Sequence, residues 1–110
     1  MEKVHVTNDE VNRFSTKQMA QEEGLQIQLR SFYDPIPDGE CEQVLYDLDS
    51  VPADRRDSVL SRLIGGQPSH EVAVHSYNLT DEEEAALLKS GVLVLPRLDY
   101  DKVADFFRRK

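Results

Sequence analysis

The sequence predicts an α/β domain in which a doubly wound, five-stranded parallel sheet is covered by helices on both faces. Short apolar runs rich in β-branched residues alternate along the chain with segments of helical periodicity. The 110 residues are 39% hydrophobic, which suffices for one core and not for two. Right-handed crossovers then give the strand order 2-1-3-4-5. We expect residues 1–110 to form a single domain in which the second helix is replaced by a loop.

The first strand and the first helix follow from an apolar run and a pair of capping residues. Residues 4–7 are the apolar run, and Asn8 or Asp9 can cap the helix that follows. This helix is predicted to begin near Glu10 and to end at Gly24, because glycine readily adopts the left-handed conformation that closes a helix.

The second strand and the loop after it are marked by alternation and by prolines. Residues 25–29 alternate between apolar and polar side chains, which is typical of a strand with one solvated face at a sheet edge. Residues 33–39 contain two prolines and a glycine, so they are predicted to form a loop. A missing helix leaves apolar sheet uncovered, which invites a partner. We expect three residues to fold back over this gap or to form a self-association or partner surface: Phe32, Tyr33 and Ile36.

The rest of the chain alternates three strands with three helices. The strands are predicted at residues 43–48, 72–76 and 92–96. Pro52 suits the first turn of the helix after the third strand, and Thr80 with Glu83 forms a capping box before the next helix. Asp99 can cap the last helix, whose apolar residues recur at helical spacing.

Charge and composition exclude several classes of function. The chain has 21 acidic and 13 basic residues, a net charge of −8 that opposes direct binding to nucleic acid or to an anionic membrane. No apolar run approaches the roughly 20 residues that span a bilayer, and no secretory signal is present, so the expected location is cytoplasmic. The sequence has no zinc-ligand spacing, no glycine-rich phosphate loop and no nucleophile elbow, so we expect it not to be an enzyme.

Polar residues lie at or just after the carboxyl ends of three predicted strands. Open parallel sheets bind their ligands at this edge. These side chains are Asn8, Asp9, Asp47, Asp49, His75 and Ser76. Carboxylates that converge in one cleft repel each other unless a cation lies among them or one carries a proton. We therefore expect Asp9, Asp47 and Asp49 to bind Mg²⁺. The alternative is that these carboxylates have a purely structural role. His5 and His75 are interpreted as core side chains rather than ligands.

The register of these residues resembles the receiver domains of two-component response regulators, and the resemblance extends over the whole chain. Residues 4–10, VHVTNDE, are similar to the strand and acidic residues that open a receiver, and Asp9 matches the second acid. Asp47 lies where receivers carry the phosphoacceptor aspartate, and Ser76 where they carry Ser or Thr. The resemblance implies a flavodoxin-like fold, phosphoryl transfer from a histidine kinase to Asp47, and Mg²⁺ held by Asp9, Asp47 and the backbone carbonyl of Asp49.

The chain also departs from the receiver pattern at positions that carry its chemistry. Leu95 precedes Pro96 where receivers have lysine and proline, and Asn8 replaces the first acid of the opening pair. Residues 92–94 lack the aromatic switch residue. The lysine and the metal neutralise the charge on a transferring phosphoryl group. The absence of the lysine and of one acid, while the core pattern is kept, predicts an atypical receiver-like domain, a pseudo-receiver that signals through protein contacts without conventional aspartate phosphorylation.

Two alternatives to the pseudo-receiver stay open at this point. One is a genuine single-domain response regulator that is phosphorylated on Asp47, with Arg97 or another cation in place of the lysine. The other is an unrelated small α/β ligand-binding module. In the preferred interpretation the partners are proteins, with a homodimer as one form of association.

Overall fold

The strands and helices form in the predicted order in the computed structural model, which describes residues 2–35, 41–65, 71–95 and 99–109. A turn of 3₁₀ helix, Leu48–Ser50, joins the third strand to the second helix. Within the described ranges no helix is long and apolar enough to cross a membrane. The elements are β1 (Glu2–Val6), α1 (Glu10–Glu23), β2 (Ile27–Arg30), β3 (Cys41–Asp47), α2 (Ala53–Gly65), β4 (Glu71–His75), α3 (Asp81–Lys89), β5 (Leu93–Leu95) and α4 (Tyr100–Arg108).

The sheet has the predicted strand order, β2-β1-β3-β4-β5, with every neighbouring pair parallel. Its register aligns the carboxyl ends of the central strands: Val6 lies opposite Tyr46, and Asp47 lies opposite His75. His75 in turn lies opposite Leu95 in β5. The residues that follow β1, β3 and β4 therefore meet at one edge of the sheet.

Two helical layers bury the two faces of the sheet, because successive side chains of each strand point in opposite directions. One layer packs Val4, Val6, Val44, Tyr46, Val72 and Val74 against Val59, Leu60, Leu63 and Leu87 of α2 and α3. The other packs Leu45, Ala73 and Leu95 against Met19, Val103, Ala104, Phe106 and Phe107 of α1 and α4. The central strand β3 contributes to both layers.

Helix ends are set by the capping residues that the sequence indicates. Asp9, rather than Asn8, caps α1: its Oδ1 accepts hydrogen bonds from the backbone N–H groups of Val11 at 2.9 Å and Asn12 at 3.1 Å. Gly24 closes the same helix at φ +67°, in the left-handed region that favours glycine. The capping box of α3 and the cap of α4 form as predicted, at Thr80 with Glu83 and at Asp99.

The segment after β2 covers the sheet with one side chain instead of a helix. Residues 31–35, the described part of the predicted loop, hold no helix. Phe32 is 6% exposed and lies with its ring centroid 6.3 Å from that of Tyr46, so the predicted fold-back is confirmed for this residue. Tyr33 instead stays 66% exposed, beneath the guanidinium of Arg55. Ile36 lies outside the described residues.

Phe107→Ala should destabilise the protein by about 3–5 kcal/mol, because this fully buried ring packs edge to face against Phe106 and its loss leaves a cavity. Phe14→Ala is the matched control, since the Phe14 ring is 70% exposed and its removal should change stability by less than about 0.5 kcal/mol. Urea denaturation followed by circular dichroism measures both. Similar losses in the two variants would contradict the described packing of α4.

Candidate functional site

An open cleft of about 420 Å³ lies at the carboxyl edge of the sheet, where the segments after β1, β3 and β4 converge. This is the edge at which the sequence predicts a site, next to the point where the order of connections reverses between β1 and β3. The lining of the cleft includes Asn8, Asp9, Asn12, Asp47, Asp49 and His75. The structure therefore brings together the predicted carboxylates, with Asn12 added from α1.

Asp47, at the end of β3, is the most enclosed of these carboxylates at 1% exposure. Its Oδ2 accepts hydrogen bonds from the Thr7 hydroxyl at 2.7 Å and from the Asn12 side-chain amide at 2.9 Å. Its Oδ1 has no hydrogen-bond donor among the described residues and lies 3.6 Å from Nδ1 of His75. Burial by itself would raise the pKa of Asp47, but Thr7, His75 and Asn12 together hold it below the ordinary value. Asp47 is thus a buried, charged carboxylate at neutral pH.

Two buried histidines meet beside Asp47 on the face of the sheet covered by α1 and α4. Nε2 of His5 lies 3.2 Å from Nε2 of His75, and Nδ1 of His5 lies 2.9 Å from the Thr16 hydroxyl oxygen. Burial, reinforced by His75, lowers the pKa of His5 to about 3. Burial also lowers the pKa of His75, against the opposing effect of Asp47. Both imidazoles are therefore neutral at pH 7.

The hydrogen bonds of this histidine pair run in one direction. A carboxylate can only accept, so Nδ1 of His75 carries its proton toward Asp47 and leaves Nε2 of His75 as an acceptor. His5 then donates from Nε2 to His75 and accepts at Nδ1 from the Thr16 hydroxyl. With the opposite tautomers, a lone pair on His75 would face the carboxylate. We call the chain Thr16, His5, His75 and Asp47 the histidine relay.

The other predicted site residues line or border the cleft but make different contacts. Ser76, the counterpart of the receiver Ser or Thr, donates its hydroxyl to Asp49 Oδ1 at 2.6 Å rather than to Asp47. Asp49 Oδ2 accepts from the backbone N–H of Tyr77 at 2.8 Å. Asn8, at the first acidic place, accepts from the backbone N–H of Phe32 at 2.8 Å. These side chains fix the turns around the cleft.

The three carboxylates predicted to hold Mg²⁺ are engaged by donors of the chain itself: Asp9 caps α1, Asp47 is held by Thr7 and Asn12, and Asp49 binds Ser76 and Tyr77. In the part of the chain that the structure describes, no three His, Cys, Asp or Glu side chains are grouped so as to hold a metal ion. As arranged, these carboxylates do not fit Mg²⁺. The magnesium site stays a prediction from the sequence, and no step below runs through it.

The position of the receiver lysine is occupied by an apolar side chain. Leu95 is 6% exposed and belongs to the core beneath α1 and α4. The guanidinium of Arg13, on α1, donates to the carbonyl of Thr7 at 3.0 Å. Arg97, the cation considered as a substitute for the lysine, lies outside the described residues.

The sequence interpretation missed the partners of Asp47. Thr7, Asn12 and Thr16 were given no role, and His5 was treated as a core side chain without a partner. A signal was present, because the period of two puts His5 and Thr7 on one face of β1, and the predicted order places β1 beside β3. Asn12 and Thr16 likewise recur four residues apart on one side of α1.

The fold is shared with a known signalling protein. The chain is similar to the crystal structure of the response regulator RPA3017 in red light signalling of R. palustris, with a TM-score of 0.55 and 13% sequence identity. The likeness covers 96% of this chain and 87% of that one. No family model and no curated protein sequence matches the chain. At this identity the likeness shows the fold alone, which is the flavodoxin-like, receiver-like α/β fold that the sequence predicts.

The buried histidines should make the protein less stable as the pH falls from about 6.5 to about 4.5. His5 binds a proton near pH 6.5 when unfolded, whereas burial lowers its pKa to about 3 in the fold, and burial lowers the pKa of His75 in the same direction. The unfolded state therefore binds more protons below pH 6.5. The free energy of unfolding should fall by up to about 1.4 kcal/mol per pH unit from His5, and His75 adds to the fall in the same direction. Urea denaturation at a series of pH values measures the slope.

His5→Gln is the variant that isolates this effect, because it removes one of the two titrating groups. Its slope of unfolding free energy against pH should be smaller than that of the wild type by about one proton. An unchanged slope would mean that His5 is already protonated in the folded protein, contrary to its burial.

Proposed function

We propose that this chain is an atypical receiver-like signalling domain that acts through protein contacts, without phosphorylation of an aspartate as its signal. The observation that carries the proposal is the enclosure of Asp47, the counterpart of the receiver phosphoacceptor. One carboxylate oxygen is bonded to Thr7 and Asn12, the other faces His75, and the side chain is 1% exposed. A carboxylate nucleophile must present an oxygen to its donor in an attack geometry. The enclosure of Asp47 opposes this.

The charges around Asp47 also favour this proposal. Catalysis of phosphoryl transfer depends on cations that neutralise the developing charge on the phosphoryl oxygens. The lysine position holds the buried Leu95, His75 is neutral because burial lowers its pKa, and Arg13 is directed at the carbonyl of Thr7. These groups leave a phosphoryl group at Asp47 with little compensation for its negative charge.

The fold and the surface support a role in protein contacts. A receiver-like fold is typical of signalling modules without enzymatic activity, and the similar structure described above is that of a response regulator. A net charge of −8 favours a protein partner over nucleic acid or an anionic membrane. Large exposed apolar side chains offer contact area for such a partner or for a second copy of this chain: Val11, Phe14, Tyr33, Tyr77 and Leu88.

Incubation with acetyl phosphate and Mg²⁺ should leave Asp47 unmodified, because the carboxylate is enclosed and lacks the receiver lysine. Intact-protein mass spectrometry measures the modification, with a phosphorylatable receiver in the same reaction as the positive control. A gain of one phosphoryl group by the wild type that is absent from Asp47→Asn would instead establish the phosphoacceptor alternative. Asp49→Asn distinguishes modification at Asp47 from modification at the neighbouring exposed carboxylate.

A further inference from the structure

Strand β2 forms an open edge of the sheet. Among the described residues it pairs with β1 alone, in an uninterrupted register from Ile27 to Arg30. The Arg30 carbonyl accepts from the backbone N–H of Thr7 at 2.9 Å, so Arg30 and, two residues earlier, Gln28 direct their backbone groups toward β1. The N–H and C=O groups of Ile27 and Leu29 therefore point away from the sheet, where they can pair with another strand.

The β2 edge lacks the sequence features that usually protect an edge strand from pairing. Natural edges are blocked by lysine, by proline, by a bulge or by being very short. β2 contains neither lysine nor proline, and apolar side chains at Ile27 and Leu29 alternate with polar ones along it. The opposite edge differs, because β5 has only the three residues Leu93–Leu95 and Pro96 follows it in the sequence. The unprotected edge is therefore β2.

The charges at this edge permit contact with a second acidic molecule. Two copies with a net charge of −8 repel each other. The guanidinium of Arg30 donates to Gln28 at 2.9 Å and pairs with Glu2 at 3.2 Å, so the single charge of β2 is balanced. An open groove of about 650 Å³ beside the strand is lined by Lys3 and Lys17, with Glu2 as the one acidic residue of its described lining. The repulsion between copies is therefore locally offset at the β2 edge.

The sequence of β2 is complementary to itself in one antiparallel register. When Gln28 lies opposite Gln28 of a second copy, Ile27 lies opposite Leu29 on both sides of a two-fold axis. The outward backbone groups of each such pair can then exchange both hydrogen bonds. A shift by one residue would instead place them opposite groups that β1 already uses. Of the registers that align the outward groups, this one pairs both Ile27 and Leu29 within β2, and apolar side chains meet apolar ones.

We propose that β2 is a self-association edge: two copies of this chain pair antiparallel through β2 about a two-fold axis at Gln28, which joins their five-stranded sheets into one. This inference rests on the proposed function, because it names a second copy of the chain as one of the protein contacts. The same edge is used by both copies, so the contact closes on itself and yields a dimer rather than a fibre.

Sedimentation velocity of the full chain over a range of concentrations tests the association. We expect a monomer–dimer equilibrium with a Kd on the order of 10 μM, as for a small interface. Gln28→Lys places two like charges opposite each other at the axis and should weaken the dimer about fivefold. Gln18→Lys, on the exposed surface of α1, makes the same change in net charge and should leave the Kd unchanged.

Two cysteine variants in a Cys41→Ser background test the register. Gln28→Cys places two thiols opposite each other, where the Cα atoms of an antiparallel pair lie about 4.5 Å apart, so mild oxidation should give a disulfide-linked dimer. Gln26→Cys is the matched control two residues earlier. In the proposed register its two thiols lie about 13 Å apart along the strands and should not be cross-linked. Gel electrophoresis without reductant measures both.

Amide hydrogen exchange followed by NMR reports on the proposed backbone bonds. The amides of Ile27 and Leu29 should become protected as the protein concentration rises, because they donate only across the dimer. The amide of Gln28, which is bonded to β1 in the monomer, should change little and is the internal control.

The self-association proposal is overturned if the chain sediments as a monomer at millimolar concentration, if the two lysine variants have the same Kd, or if the two cysteine variants are cross-linked equally. A dimer that leaves the amides of Ile27 and Leu29 unprotected also overturns it, because such a dimer uses another surface. These outcomes leave the proposed function intact, since that proposal depends on the acetyl phosphate reaction. Phosphorylation of Asp47 would overturn the proposed function, whereas sedimentation without a phosphoryl donor would still report on the β2 edge.

Discussion

The burial of one charged carboxylate constrains the centre of this protein. Removing a carboxylate from water costs several kcal/mol unless donors replace the lost hydration. Asp47 obtains its donors from Thr7 after β1 and from Asn12 in α1, with His75 of β4 beside it. The capping of α1 by Asp9 sets where that helix begins and so places Asn12 over the sheet edge. The site and the fold therefore depend on each other: three elements must be in register for the charge to be tolerated.

The two faces of the sheet use different physical interactions. The layer beneath α2 and α3 is apolar, and its stability comes from burial of Val, Leu and Tyr side chains. The layer beneath α1 and α4 contains the histidine relay, and near its other end the Gln43 side-chain amide donates to the carbonyl of Phe106 at 2.5 Å and to Glu71 Oε1 at 2.9 Å. Lys3 Nζ also donates to the carbonyl of Phe107. Both carbonyls lie in the last turn of α4, where the donors of the helix run out, and the Phe106 carbonyl also accepts from the Arg109 backbone N–H at 3.3 Å. The directional geometry of these side-chain bonds fixes how α4 lies on the sheet.

The receiver-like fold does not by itself decide the chemistry of the site at its sheet edge. A fold fixes where strand ends meet, whereas the residues placed there decide what the site can do. In this chain an apolar residue, Leu95, occupies the lysine position and is buried opposite His75. Among the described residues, the donors to Asp47 are the neutral side chains of Thr7 and Asn12, and the cleft is lined by three carboxylates.

The sequence by itself determined the order of strands and helices, the parallel sheet and the helix ends at Gly24, Thr80 and Asp99, and it narrowed the cap of α1 to Asn8 or Asp9. These features depend on periodicity and on hydrogen bonds between residues at most a few positions apart, so they can be predicted from a single sequence. Only the tertiary structure decided that His5 meets His75 and that Ser76 bonds to Asp49 rather than to Asp47. Those contacts join residues 70 and 27 positions apart. They depend on the register between strands and on which donor the folded chain places within hydrogen-bonding distance of each acceptor. Residue type and spacing placed the carboxylates at one edge, but the partner of each oxygen was set by packing in three dimensions.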